Sequence, residues 1–164
     1  MIKIKQAQKG DIELIEQMMF KRIDELADKG ILQWSKSDVS WKYLSLEYKE
    51  EDFYIVTADG EFAGSFCVVD YDPNVWINDP CGKYLYIHKI IVMEKYSGQG
   101  LGDYILSFFK DLGREAGVSS VKLDVRDYKK KLRRLYERNG FVLDHIAYFN
   151  GNEYNTCFYR YDIK

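Results

Sequence analysis

Proline is nearly absent from this chain, at 2 in 164 residues, and histidine is as scarce. Both prolines fall within 72–82, which reads as a loop, and no linker, repeat or low-complexity tract divides the rest. Cys67, Cys81 and Cys157 are odd in number, widely spaced and contain no Cys-x-x-Cys pair. That pattern argues against a disulfide frame or a metal site, and the three read as free thiols in a reducing cytoplasm. No apolar run approaches the ~20 residues that a bilayer-spanning helix needs. The first residues, Met-Ile-Lys-Ile-Lys-Gln, alternate like a strand and lack the apolar region of a signal peptide. The expected location is therefore cytoplasmic, with no membrane partner. Neither sign of charge dominates: 24 basic residues face 26 acidic ones, a net charge of −2. Nucleic-acid binding usually selects a basic face, so no nucleic-acid partner is expected.

Aromatic side chains, by contrast, are abundant, with 14 Tyr, 9 Phe and 3 Trp. Most belong to a core or to pleated strand faces, where they pack well. Hydrophobic residues make up 46% of the sequence, enough for one ordinary domain over 1–164 with a real core.

Periodicity places a first strand at 2–7. A helix then carries Ile15, Met18, Met19, Ile23 and Leu26 on one face, with Asp11 as its N-cap and its end near Gly30. A second helix is expected from about Ser37 to Lys49. The Asp59-Gly60 pair between 53–58 and 61–70 predicts a hairpin. After the 72–82 loop comes a β-branched and aromatic run, Tyr84–Val92, followed by a glycine-rich turn and a helix to about Ala116. Apolar residues of that helix, from Leu101 and Ile105 to Leu112 and Ala116, keep the 3.6 period. Val121–Val125 reads as a strand, Lys129–Arg138 as a basic helix ended by Gly140, and 141–149 with 153–161 as two strands around Asn150-Gly151-Asn152. The order βααββ–βα–βα–ββ describes an α/β sheet that mixes hairpins with parallel crossovers.

The turn is the most informative stretch. Gly98, Gly100 and Gly102 allow backbone conformations closed to other residues and remove side chains that would block a ligand. The helix that follows points its unpaired N–H groups and positive dipole end into the same space. Together they form an anion cradle, suited above all to a pyrophosphate.

Two motifs in register, Ser97-Gly98-Gln99-Gly100-Leu101-Gly102 and Leu135-Tyr136-Glu137-Arg138-Asn139-Gly140-Phe141, resemble those of the GNAT superfamily of acyl-CoA-dependent N-acyltransferases. That family's turn reads Arg/Gln-x-x-Gly-x-Gly/Ala and its later signature Leu-Tyr-Glu-Lys-x-Gly-Phe, and the element order matches over essentially the whole chain. The resemblance implies a mixed, splayed sheet of about seven strands flanked by about four helices. It also implies acetyl-CoA as the acyl-donor cosubstrate, a primary amine of a small molecule or peptide as acceptor, and pairing into a homodimer through C-terminal strands. Two positions depart from the pattern. Ser97 replaces the Arg or Gln at the head of the turn, with Lys95 a substitute source of positive charge. Lys129 stands where many members carry an Asn that contacts the pantetheine arm.

In the resembling family, the amides of Ser97, Gly98, Gln99, Gly100, Leu101, Gly102 and Asp103 would hold the diphosphate. Backbone groups near Ile90 and Val92 would pair with the pantetheine amides as an added strand does. An alkylammonium of pKa ~10.4 must lose a proton before it attacks a thioester, so a base or a water chain to one is required. Many members place a Glu at Tyr86, and arylalkylamine acetyltransferases place histidines at the positions of Tyr86 and His88. By period-two geometry Tyr86, His88 and Ile90 share a strand face. His88 is accordingly the candidate base, directly or through water, because imidazole titrates near neutrality; a histidine bonded within the sheet is the alternative. Tyr136 occupies the family's general-acid position and would protonate the departing thiolate, where spacing alone would make it a packed helix-face aromatic. No metal is required.

On the acceptor side the candidates are Trp34, for stacking on the acceptor or on a cation, and Tyr86, for shaping the pocket. Acidic residues at 47 and 50–52, with His145 and Tyr148, are weaker candidates. A non-catalytic CoA-binding regulatory domain is the competing class, since Ser97 and Lys129 weaken the cofactor pattern. An acyltransferase of aminoacyl-tRNA is a third, disfavoured by the absence of a basic surface.

Overall fold

The structure, a computed structural model, describes residues 1–148 and 154–164. Its strands are β1 Ile2–Gln6, β2 Phe53–Ala58, β3 Glu61–Val69, β4 Tyr84–Val92, β5 Ser120–Arg126, β6 Val142–Ala147 and β7 Thr156–Asp162. The helices are α1 Asp11–Ala27, α2 Lys36–Val39, α3 Trp41–Leu44, α4 Leu101–Ala116 and α5 Lys130–Arg138, with 3₁₀ turns at Glu50–Asp52 and Glu94–Tyr96. Among the described residues the strands form one seven-stranded sheet in the order β1-β2-β3-β4-β5-β7-β6. This is the expected mixed α/β class with the expected number of strands. The expected Asn150-Gly151-Asn152 turn and the strand ends at 149 and 153 lie outside the described residues. No helix among the described residues is long and apolar enough to cross a membrane. The chain packs as two compact units, Met1–Val68 with His88–Leu101, and Val69–Ile87 with Gly102–Lys164.

In the first unit β2 pairs antiparallel with β1, from Ile2 opposite Ala58 to Gln6 opposite Tyr54, and with β3 through the predicted Asp59-Gly60 hairpin. Helix α1 buries Ile12, Ile15 and Met19 on the face that the periodicity marks. Phe53 is fully buried and takes Trp41 and Tyr48 edge-on, at 6.1 and 5.9 Å between ring centroids.

Two expectations fail in this unit. Asp11 is not the N-cap of α1: Gly10, in the left-handed region at φ 96°, caps it without a side chain, and Asp11 begins the helix. There its carboxylate accepts the N–H of Gln8 at 2.9 Å and complements the helix dipole. The helix expected over 37–49 is two single turns separated by Ser40 in an extended conformation, ψ 144°. Ser35 caps α2, and the carboxylate of Glu16 on α1 accepts the N–H of Trp41. A tertiary acceptor thus satisfies an amide that a continuous helix would have bonded internally.

In the second unit β5 runs parallel to β4, from Tyr84 opposite Ser120 to Tyr86 opposite Lys122. The connection between them carries α4, as a parallel crossover requires. On its other side β5 pairs antiparallel with β7, and β7 pairs with β6, which ends the sheet order. Residues Ile105, Leu106 and Phe109 of α4 are fully buried.

Candidate active site

Strand β4 carries the first group of predicted residues. Lys89 sits in the left-handed region at φ 54°, which a strand interior rarely contains. Alternation is broken there: His88, Lys89 and Ile90 are all half-buried, and Ile91 is buried. The regular period of two is therefore interrupted at Lys89. The His88 ring lies 6.2 Å from that of Tyr48. Ile90 and Val92 remain half-buried, while β3 approaches the main chain of β4 closely at Gly64. A Cβ on Gly64 would stand 2.4 Å from the Ile91 carbonyl oxygen. Half-buried Trp34 already faces a cation, because Lys89 Nζ lies 5.1 Å from its ring centroid.

The turn after β4 is built in two steps. The 3₁₀ turn at Glu94–Tyr96 closes with Ser97 N–H donating to the Glu94 carbonyl at 3.0 Å, which removes the Ser97 amide from the donors a ligand could use. Gly98 (φ 75°) and Gly100 (φ 82°) then adopt left-handed conformations, both exposed, with no atom within 4 Å of an added Cβ. Such an open backbone surface, leading straight into the first turn of α4, fits an anionic group. Gln99 folds back and donates to the Lys95 carbonyl at 2.9 Å. Leu101 is buried, so only its main chain can serve a ligand. The Lys95 ammonium pairs with Glu61, and this cation holds the Glu61 carboxyl below its ordinary range.

Gly102 and Asp103 belong to the second unit, where the missing side chain of one and the carboxylate of the other serve the packing of α4. Gly102 is helical, and its missing side chain makes room for Leu135: an added Cβ would stand 2.9 Å from Leu135 Cδ2. The Asp103 carboxylate is held by the Arg138 guanidinium at 3.0 and 2.7 Å and by Asn139 Nδ2 at 2.7 Å. The Arg138 guanidinium accordingly holds the Asp103 carboxyl below its ordinary value. Both partners come from Leu135–Phe141, so the second motif is largely a clamp on the start of α4.

Within that motif Tyr136 is buried, its ring 6.5 Å from Phe141 and 6.1 Å from Tyr159. Burial first, then the charge of Asp124 and the neighbouring Tyr159, push its phenol well above the ordinary value of 10.0. Tyr136 therefore stays protonated at any physiological pH. Lys129 stands just before α5, half-buried, with its ammonium 5.6 Å from the Tyr128 ring centroid.

Tyr86 is fully buried, and its hydroxyl donates to Asp79 at 2.8 Å, so any part in a pocket is that of a wall. Lys122 was not anticipated. Its ammonium is buried, pairs with Asp79 at 2.8 Å and lies 3.6 Å from the Tyr84 centroid and 4.6 Å from that of Trp76. The one signal for it in the sequence is a lysine inside the apolar run Val121-Lys122-Leu123. His145 stacks on Phe158 at 4.4 Å with Nδ1 2.6 Å from Asp144, while Tyr148 is exposed.

Comparison with known proteins identifies the family. The profile of the Acetyltransferase (GNAT) family matches residues 17–141. The chain belongs to the GNAT acetyltransferases. Pig thialysine N-epsilon-acetyltransferase is 31% identical over 145 residues, covering 84% of this chain and 82% of that protein. The uncharacterized N-acetyltransferase YesJ of Bacillus subtilis is 24% identical over 139 residues, 80% of this chain and 76% of its own. Among solved structures, a GNAT-family acetyltransferase from Listeria monocytogenes superposes with a TM-score of 0.75 at 24% identity, covering 98% of this chain and 94% of its own. YncA of Salmonella typhimurium, solved with its cofactor acetyl-CoA, gives 0.67 at 17% identity, covering 99% and 94%. This GNAT member is an acetyl-CoA-dependent N-acetyltransferase that acts on an amine acceptor.

Proposed function

We propose that this acetyltransferase passes the acetyl group of acetyl-CoA directly to the primary amine of a small alkylamine, with Tyr136 as general acid and His88, directly or through one water, as base. Bound acetyl-CoA supplies a thioester carbon open to attack by an amine. The main-chain amides from Gly98 to Asp103 would hold its diphosphate, and the backbone of Ile90 and Val92 would pair with its pantetheine amides. An alkylammonium is almost wholly protonated at neutral pH, so His88 takes a proton from the acceptor. Tyr136 delivers its phenolic proton to the departing sulfur. The observation that carries this reading is the place of Tyr136 in the Leu135-Tyr136-Glu137-Arg138 motif, buried on α5 with its ring beside those of Phe141 and Tyr159. The name of the pig relative supports an alkylamine as the acceptor class.

Tyr136→Phe tests the assignment. Turnover is expected to fall about 100-fold, the scale of a lost general acid, while the acetyl-CoA dissociation constant stays within about threefold. Undiminished turnover would refute the role of Tyr136. Thiol release measured over thialysine, lysine, polyamines and peptides tests the acceptor; activity confined to peptides would refute the small-amine reading.

A further inference from the structure

Glu137 of the second motif is exposed and has no part in the chemistry above, yet it holds a buried partner. The Tyr159 hydroxyl donates to Glu137 Oε1 at 2.8 Å and accepts from Arg133 Nε at 3.0 Å. Arg133 also donates to the Asp127 carbonyl at 3.3 Å. Arg133 and Glu137 are four residues apart, on the same face of α5, and Tyr136 lies between them in the chain. Tyr159 is fully buried in β7, opposite Leu123 of β5 and Leu143 of β6, and its ring stands at 61° to that of Tyr136. A nine-residue helix has little stability of its own and takes its position from such anchors.

We infer that Tyr159 is a positioning residue for Tyr136. Its hydroxyl, gripped by a cation and an anion one helical turn apart, fixes the rotation and height of α5 and so the place from which the Tyr136 phenol gives its proton. Bonds to charged groups are the stronger kind, and this hydroxyl uses both its donor and an acceptor position. The inference rests on the reading of Tyr136 as general acid. Turnover is sensitive to small displacements of a reacting group, whereas the coenzyme cradle belongs to other residues.

The test is a double-mutant cycle. Tyr159→Phe keeps the ring and removes the hydroxyl; kcat is expected to fall about tenfold, with acetyl-CoA affinity by calorimetry unchanged within twofold. Added to Tyr136→Phe, the same change should alter kcat less than twofold, because the group it positions is gone. Glu137→Gln, which retains an acceptor, should keep most of the turnover, whereas Glu137→Ala should reproduce the Tyr159→Phe defect in a folded protein. Wild-type kcat in both Tyr159→Phe and Glu137→Ala, with Tyr136→Phe impaired, would overturn the positioning role alone. A tenfold loss that persists in the Tyr136→Phe background would overturn it too. Full activity of Tyr136→Phe itself would overturn the general-acid reading and this inference with it.

Discussion

Gly64→Ala places a methyl group 2.4 Å from the Ile91 carbonyl oxygen. A comfortable carbon–oxygen contact is about 3.3 Å, so β3 and β4 would have to part by roughly 0.9 Å. No side chain can absorb this, since the obstructing atom is main chain. The adjacent bond from Met93 N–H to the Ala63 carbonyl, now 2.9 Å, would stretch beyond useful range. Overpacking of this kind costs about 1–3 kcal/mol and the weakened bond about 1, while alanine's stiffer unfolded chain returns about half of one. The expected net loss is about 2–3 kcal/mol. With a urea m-value near 2 kcal/mol/M, the midpoint should fall by about 1–1.5 M. Gly102→Ala is the control. Its closest approach, 2.9 Å, is to a Leu135 methyl at the tip of a flexible side chain. A rotamer shift of about 1 kcal/mol is offset there by alanine's better helix propensity, so stability should change by less than about 1 kcal/mol. If Gly64→Ala unfolds within about 0.5 kcal/mol of wild type, or no more easily than Gly102→Ala, the distinction between main-chain and side-chain obstruction is wrong.

Gly100→Val should abolish acetyl-CoA binding by calorimetry while leaving the circular dichroism of a folded domain; retained affinity would mean that the turn is not the cradle. Asp79→Ala leaves the buried Lys122 ammonium without its carboxylate and should cost about 3 kcal/mol in urea unfolding, whereas the Asp79→Asn, Lys122→Met pair should come within about 1 kcal/mol of wild type. Tyr86 and Tyr136 both have phenols raised chiefly by burial, so the folded state holds these protons more tightly than the unfolded chain. Their stabilisation is whole below the unfolded value near 10 and declines above it, by up to about 1.4 kcal/mol per pH unit for each tyrosine. Unfolding midpoints between pH 9 and 11 should show this slope, and it should be shallower in Tyr136→Phe.

Strands and hairpins were legible because local chemistry determines them. Tyr84–Val92 is bounded by a loop and a turn, and Asp59-Gly60 dictates the reversal between β2 and β3. Long-range partners were not. The break at Ser40 depends on a carboxylate from α1 reaching Trp41, which no window around 37–49 contains. Pattern reading assigned all three turn glycines to conformational freedom; Gly98 and Gly100 fit, while Gly102 answers to a leucine on another helix. Likewise Lys122 reads as an ordinary strand lysine until Asp79, Tyr84 and Trp76 are folded around it. The motifs themselves were plain, but their physical division of labour required coordinates: the first offers open main chain, and the second presents Tyr136 and clamps α4.

That clamp has a dynamic corollary. With one carboxylate on Asp103 gripping Arg138 and Asn139, the start of one helix and the finish of another cannot fray separately. Deuterium uptake at 102–105 and at 135–139 should share a single opening free energy. A ligand that steadied the amides at 102–103 should therefore also slow exchange at 135–139.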